Sequence, residues 1–186
     1  MTVWPDQERL AAIQLVAMDV DGVLTDGKIT YTSHGEELKS FNVKDGLGIT
    51  LAHRAGIQTA IITARCSAIV TRRAEELEIE AVYQGAKDKL AALTAVAARY
   101  RLPLHAIAYM GDDLPDMPAL AACGLPLCPA DAAPEVVTLV AEKSGMIAQS
   151  NGGAGAVREC LDRIRNARPV GQRGLPDAPV YACQPS

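Results

Sequence analysis

Val16-Ala17-Met18-Asp19-Val20-Asp21-Gly22-Val23-Leu24-Thr25-Asp26-Gly27 decides how this 186-residue chain is read. An apolar run beginning at Leu15 leads into two aspartates one residue apart, and the chain then turns on Gly22 and Gly27. The run lacks polar alternation, which suits a strand buried on both faces of a parallel sheet. Carboxylates at the end of such a strand stand at the carboxyl edge of the sheet, where open α/β folds bind ligands. Asp-x-Asp has a chemical use there. One carboxylate can attack phosphorus and form an aspartyl-phosphate. A second, offset along the chain, can give a proton to the departing oxygen and later take one from water. Close anions repel each other and the phosphate, so a divalent cation is nearly obligatory. A solvated Asp-Gly turn and a partial calcium loop are the plainer alternatives, since Asp and Gly dominate turns. The downstream residues have to choose.

Strand-like and helical patterns alternate through the rest of the chain. Residues 5–13 read as a short amphipathic helix before the first strand. Runs 28–32 and 37–41 are β-prone and flank Ser33-His34-Gly35-Glu36, which reads as a hairpin. A plain βαβ unit passes directly from strand to helix, so this hairpin, about 26–42, is expected to stand over the aspartates as a flap. Strands are expected over 57–62, 80–83, 106–110 and 125–128, with an edge strand near 146–149. Helices are expected from about 42 to 55, where Gly56 stops the first of them, and over 67–77 and 86–100. Three more are expected up to 122 and over 134–142 and 155–165. This alternation predicts an α/β fold, a doubly wound, Rossmann-like parallel sheet with helices on both faces. After Asn166 periodicity gives way to Pro, Gly, Arg and Gln. Residues 1–166 are therefore expected to form the domain. Residues 167–186 would be a tail, mobile or ordered against a neighbouring subunit.

Bulk properties narrow the function classes. A hydrophobic fraction of 49% suits a globular core, and with one Phe and one Trp that core must be built from Ala, Val, Leu and Ile. The net charge of -4, with no Lys/Arg run, argues against a nucleic-acid partner. No apolar run could span a bilayer, and the Met1 end lacks a basic-then-apolar signal pattern; a cytoplasmic protein with no membrane partner is the expectation. Cys66, Cys123, Cys128, Cys160 and Cys183 are odd in number and include no CxxC pair, against a disulfide framework or zinc site. Cys123 and Cys128 read as small apolar packing residues. His34, His53 and His105 share no spacing and read as surface or capping residues.

Four strand ends carry polar groups. The first has Asp19 and Asp21, the second Thr63 and Arg65. The helix after the third brings Lys89, and the fourth ends in Gly111-Asp112-Asp113-Leu114-Pro115-Asp116. A doubly wound sheet converges these ends. A phosphoryl group there would meet a nucleophile, a hydroxyl donor, a cation and a metal clamp, which is the inventory phosphoryl transfer needs. Mg2+ takes near-octahedral oxygen ligation with one or two carboxylates. Asp19 and Asp112 can supply those carboxylates and the backbone carbonyl of Asp21 a third oxygen, with Asp113 and Asp116 as orienting groups. Each piece alone has an ordinary reading. Thr63 could cap a strand, Lys89 could be a solvated helix lysine, and Gly111-Asp112-Asp113 could be a turn with an N-cap. Their order along successive strand ends points to one site.

On these motifs the chain resembles the haloacid dehalogenase-like phosphatases: Asp19-Val20-Asp21-Gly22-Val23, then Thr63, then Lys89, then Gly111 to Asp116. The likeness extends to their capless branch, typified by 3-deoxy-D-manno-octulosonate 8-phosphate (KDO 8-P) phosphatase. It runs through Asp26-Gly27, Leu38-Lys39-Ser40-Phe41-Asn42, Lys44-Asp45-Gly46, Ile61-Ile62-Thr63, Gln84-Gly85, Gly152-Gly153 and Gly155-Ala156-Val157-Arg158-Glu159. The resemblance implies Asp19 as nucleophile and Mg2+ ligand, Asp21 as acid/base, and Asp112 as Mg2+ ligand, with Thr63 and Lys89 completing the catalytic set. Substrate contacts are implied for Asp21, Asn42, Val43, Lys44, Asp45, Gly46, Thr50, Arg65, Arg73 and Lys89. It also implies a homotetramer, without a large cap domain, in which the flap and neighbouring subunits cover the site. Basic side chains at Lys44, Arg65 and Arg73 would suit a sugar carboxylate besides the phosphate. Two positions depart from the pattern: Thr50 stands where relatives usually have a basic residue, and Ala64 where they usually have Gly.

The expected activity is a Mg2+-dependent phosphomonoesterase acting on a phosphorylated 3-deoxy-2-keto sugar acid, KDO 8-P first and a nonulosonate 9-phosphate as the alternative. From another class, a receiver-like module or a silent oligomerisation scaffold competes. A receiver has no use for a proton donor placed like Asp21. A silent scaffold would be expected to have lost Asp19, Lys89 or Asp112, and all three are present.

Overall fold

The computed structural model describes residues 5–173. Helix α1 (Gln7–Ala11) precedes the central strand β1 (Leu15–Met18). A two-stranded antiparallel hairpin, β2 (Thr30–Tyr31) and β3 (Glu37–Leu38), follows, and then α2 (Val43–Arg54). Thereafter strand and helix alternate: β4 (Gln58–Ile62), α3 (Ala68–Glu76), β5 (Ala81–Tyr83), α4 (Lys89–Tyr100), β6 (Ile107–Met110), α5 (Met117–Ala122), β7 (Leu125–Cys128), α6 (Pro134–Glu142), β8 (Met146–Ile147) and α7 (Ala156–Asn166). The main sheet is parallel throughout, in the order β5-β4-β1-β6-β7-β8. Counting its strands along the chain gives 3-2-1-4-5-6, the doubly wound order. The order reverses between β1 and β6, so the crevice for a ligand opens beyond Met18 and Met110.

Why β1 sits at the centre is legible in its side chains. All four residues are buried, and successive ones serve opposite faces. Val16 and Met18 pack with Ile49, Ile61, Val70, Ala108, Met110 and Leu161, under α2, α3 and α7. Leu15 and Ala17 pack with Ala60, Ile62, Leu93, Ile107, Tyr109 and Leu120, under α4, α5 and α6. A short strand that is apolar on both faces has only a two-sided interior to go to.

The sequence-based elements recur with shifted ends. The helix expected from Ala86 starts at Lys89, because Asp88 caps it by accepting from the Ala91 N–H at 2.9 Å. The flap is shorter in strand than its β-prone runs, with only two residues per strand paired. Cys123, Cys128 and Cys160 are buried, unbridged packing residues. Past the compositional boundary at 166, the Arg168 guanidinium donates to Ile13 O at 2.8 Å and Ala55 O at 2.7 Å, so the described part of the expected tail lies against this domain. The rest of that tail, with Cys183, lies outside the described residues. No helix among the described residues is long and apolar enough to cross a membrane.

Candidate active site

Beyond Met18 the backbone N–H of Asp19 is held by Met110 O at 3.0 Å, the last rung between β1 and β6. That rung sets Asp19 at the reversal point of the sheet. Its carboxylate accepts from the Val20 N–H at 2.7 Å and pairs with Lys89 Nζ at 2.7 Å. Lys89 opens α4, yet its side chain is 1% exposed. The same ammonium donates to Ile62 O at 3.0 Å and to Asp116 Oδ1 at 3.1 Å. It thus ties together groups that the topology gathers from β1, β4, α4 and the loop after β6.

Asp116 is buried and its acceptor capacity is filled. Oδ1 takes Lys89 and the Tyr109 hydroxyl, the latter at 2.6 Å; Oδ2 takes the N–H groups of Asp112 and Asp113 at 3.1 and 3.4 Å. Two carboxylate oxygens offer about four lone-pair sites, and four donors occupy them. Burial, then the Asp116 charge, drive the Tyr109 phenol far above its ordinary range, which keeps it a donor. Asp116 therefore orients the Asp112 loop, the part expected of it.

Asp19, Asp112 and Asp116 each offer an oxygen within 4.8 Å of the others. With Asp116 saturated, Asp19 and Asp112 are the carboxylates left for a hard cation. The Asp112 carboxylate lies directly on Gly22: a β-carbon there would come within 2.0 Å of Oδ2, and the backbone has φ +87°, so glycine is required twice over. Burial raises the Asp19 carboxyl to about 6, with the neighbouring Asp116 charge adding to it and Lys89 opposing. Burial raises Asp112 to about 7, with Asp116 and Asp19 adding. Two carboxyls pushed up together by burial and mutual repulsion fit a site completed by positive charge.

A second charged layer stands over this floor. Asp21 forms an ion pair with Lys39 of the flap, whose side chain is 2% exposed. Arg65 Nε lies 3.9 Å from Asp21 Oδ2, and its Nη2 donates to Glu37 Oε1 at 2.7 Å. Glu37 also accepts from the Ser67 hydroxyl at 3.0 Å. Lys39 and Glu37 were given no role from the sequence. A signal existed: two residues apart on a strand they share one face, while Leu38 between them points away and is exposed.

The other expected substrate residues divide. Thr63 is buried at the end of β4, with its hydroxyl 3.4 Å from the Arg65 N–H. Asn42 caps α2, accepting from the Lys44 N–H at 2.8 Å, while its amide donates to Gly153 O at 3.3 Å. Val43 is exposed at the start of α2, and Lys44 beside it is exposed too. Arg73 lies over the Phe41 ring at 5.6 Å, and a β-carbon on Gly46 would come within 2.5 Å of its guanidinium. Two residues lie apart from these. Asp45 is turned inward, 1% exposed, and accepts from the Arg158 N–H at 2.8 Å, so it holds the start of α7 rather than facing the aspartates. Thr50 donates to Gly46 O of its own helix at 3.2 Å and lines a groove with His53, Arg54, Glu76, Leu77 and Glu78. A β-hydroxyl on a helix can satisfy itself on the i−4 carbonyl, which sequence alone does not exclude.

Known proteins resemble this chain over most of its length. It is 43% identical over 157 residues to the 3-deoxy-D-manno-octulosonate 8-phosphate phosphatase KdsC of Yersinia pestis, covering 84% of this chain and 82% of that one. The 3-deoxy-D-manno-octulosonate 8-phosphate phosphatase of Moraxella catarrhalis, solved with a magnesium ion, a phosphate ion and a KDO molecule, superposes with a TM-score of 0.83. It is 42% identical, with 87% of this chain and 91% of that chain covered. The cobalt-bound phosphatase of Haemophilus influenzae superposes at 0.81, at 40% identity, with 86% and 91% covered. No family model matches the chain.

Proposed function

Because the chain belongs to the 3-deoxy-D-manno-octulosonate 8-phosphate phosphatases, within the haloacid dehalogenase-like hydrolases, we propose that this phosphatase hydrolyses KDO 8-P to KDO and phosphate through an aspartyl-phosphate on Asp19. One observation carries the reading. Asp19 stands at the reversal point of the sheet with Lys89 at 2.7 Å and Asp112 close enough to share a cation.

In this mechanism an Asp19 oxygen attacks phosphorus in line with the ester oxygen. The P–O bond to the sugar breaks as the new one forms. Asp21, two residues on, gives its proton to the departing alkoxide. It then takes a proton from the water that attacks the acyl-phosphate, releasing phosphate and restoring Asp19. Lys89 holds the nucleophile in place and offsets negative charge at the phosphoryl group. Thr63 would donate its hydroxyl to a phosphate oxygen. Asp19, Asp112 and the backbone carbonyl of Asp21 would hold Mg2+, which when bound neutralises the phosphate and the crowded carboxylates. Asn42, Val43, Lys44, Gly46, Arg65 and Arg73 form the rim we assign to the sugar acid. Asp45 and Thr50 would shape that rim from behind.

The exposed apolar residues Ile29, Tyr31 and Leu38 of the flap, with Val43 and Leu47 on α2, support a homotetramer in which copies cover one another's sites. The test is a panel of sugar-acid phosphates and a generic aryl phosphate, with and without Mg2+, read as free phosphate. KDO 8-P should lead by kcat/KM. A nonulosonate 9-phosphate ahead of it would replace the substrate. No turnover of any ester, alongside a stably phosphorylated protein, would replace the enzyme with a phosphate-responsive module.

A further inference from the structure

Helix α3 begins without the cap its sequence provides. Ser67 occupies the N-cap position and is a residue type that normally accepts from the first free N–H groups, yet its side chain makes no cap bond. Its hydroxyl instead donates to Glu37 Oε2 at 3.0 Å, 30 residues away on the flap. Gln84 takes over locally, accepting from the Ser67 N–H at 2.6 Å and donating to the Thr71 hydroxyl at 2.8 Å. The other Glu37 oxygen accepts from Arg65 Nη2 at 2.7 Å, with Lys39 Nζ 3.9 Å away. One carboxylate thus joins β3, the loop after β4 and the start of α3. Arg65 beside it, and Ser67 further, hold the Glu37 carboxyl below the usual range.

The Arg65 side chain is 41% exposed. A guanidinium that free has many rotamers to lose before it can meet a ligand. Glu37 occupies one edge of its donor fork, the Tyr31 hydroxyl of the flap stands against it as well, and its Nε lies 3.9 Å from Asp21 Oδ2. The bond from Glu37 to Ser67 anchors the flap, whose strands pair over only two residues each and would be marginal alone.

We infer that Glu37 is a positioning residue for substrate recognition: it holds the Arg65 guanidinium against the flap, ready for the carboxylate of the sugar acid, and docks the flap on α3 through Ser67. This rests on the sugar-acid reading above. Substrate does not displace Glu37; it finds Arg65 already oriented, as preorganisation requires.

The experiment compares Glu37→Gln, Glu37→Asp, Arg65→Ala and the Glu37→Gln/Arg65→Ala pair in the full chain with Mg2+. Two readouts are taken: kinetics on KDO 8-P and on an aryl phosphate lacking a carboxylate, and hydrogen exchange of the flap without substrate. Glu37→Gln should raise KM for KDO 8-P about tenfold, the worth of one charge-assisted hydrogen bond. The change in kcat should stay within about twofold, and the loss should shrink on the aryl phosphate. It should add nothing once Arg65 is gone, and Glu37→Asp should recover part of it. Flap exchange should quicken in Glu37→Gln. A lowered KM, additive losses with Arg65→Ala, or unchanged flap exchange would each overturn the assignment. Failure of the unsubstituted protein on every sugar-acid phosphate would sink the substrate reading instead, and the exchange result would still decide whether Glu37 latches the flap.

Discussion

The floor of the site and the flap above it carry the same chemistry of paired charges in opposite settings. On the floor, Lys89 and Asp116 are each 1% exposed in their side chains and every polar atom of the pair is engaged. At the flap, Glu37 on a strand two residues long pairs with Arg65 of the loop after β4, in partial contact with solvent. Removing one partner of a buried pair strands a charge in low dielectric, whereas exposed pairs are screened and individually weak. In the proposed mechanism, chemistry therefore rests on groups buried in the domain's core. Recognition, as proposed, rests on groups held partly in solvent.

That contrast can be broken at several strengths. Asp19→Asn should fold, by far-UV circular dichroism, and release phosphate slower by a factor on the order of 10⁴ or more, as loss of a nucleophile does. Activity within tenfold of the parent would remove Asp19 from the mechanism. Lys89→Met should lower stability by about 3–5 kcal/mol in urea unfolding, because it leaves Asp19 and Asp116 unpaired in the interior. A loss below about 1 kcal/mol would show that the floor behaves like a surface pair.

The third test uses protons. Asp19 and Asp112 have folded pKa values raised to about 6 and about 7 from 3.8, chiefly by burial. The folded, metal-free protein therefore binds more protons than the unfolded chain between those values. Its stability from these groups is present below about pH 4 and is lost as pH rises through about 6 to 7. Mg2+ requires both carboxylates ionised, so its binding should release protons and strengthen across the same window. Scanning fluorimetry should show a larger rise in Tm on adding Mg2+ at about pH 8 than at about pH 5.5. Equal rises would mean that these carboxyls do not take the ion. The smallest effect is expected at Thr50. Its hydroxyl serves its own helix, so Thr50→Ala should shift stability by about 0.5 kcal/mol or less. A changed substrate preference in that variant would bring Thr50 back to the substrate, delivered by a neighbouring copy.

Much of the floor could be read before any coordinates. Asp19, Thr63 and Asp112 follow the ends of β1, β4 and β6, Lys89 opens α4, and strand ends of a doubly wound sheet have a common destination. The flap was legible as a hairpin but not as a participant. Lys39 and Glu37 share one face of a β-prone run, but that spacing alone does not say which face meets Asp21 and which meets solvent. Asp45 and Thr50 show how little a position in the chain says about facing. They stand five positions apart on α2, a helix turns its successive residues by about 100°, and the two end up facing α7 and the α3 groove.

Sequence alone determined the order of elements, the buried central strand and the polar residues at the strand ends. These follow from periodicity and residue chemistry, which act over a few positions. Tertiary structure alone decided that Lys89 is a buried tie rather than a solvated lysine, that Asp116 has no lone pair to spare, and that Ser67 serves the flap instead of its helix. Those outcomes depend on which groups meet from distant parts of the chain, as Lys89 meets Asp19, and pairing in a low-dielectric interior is set by the packing of the whole sheet, not by any stretch of chain within it.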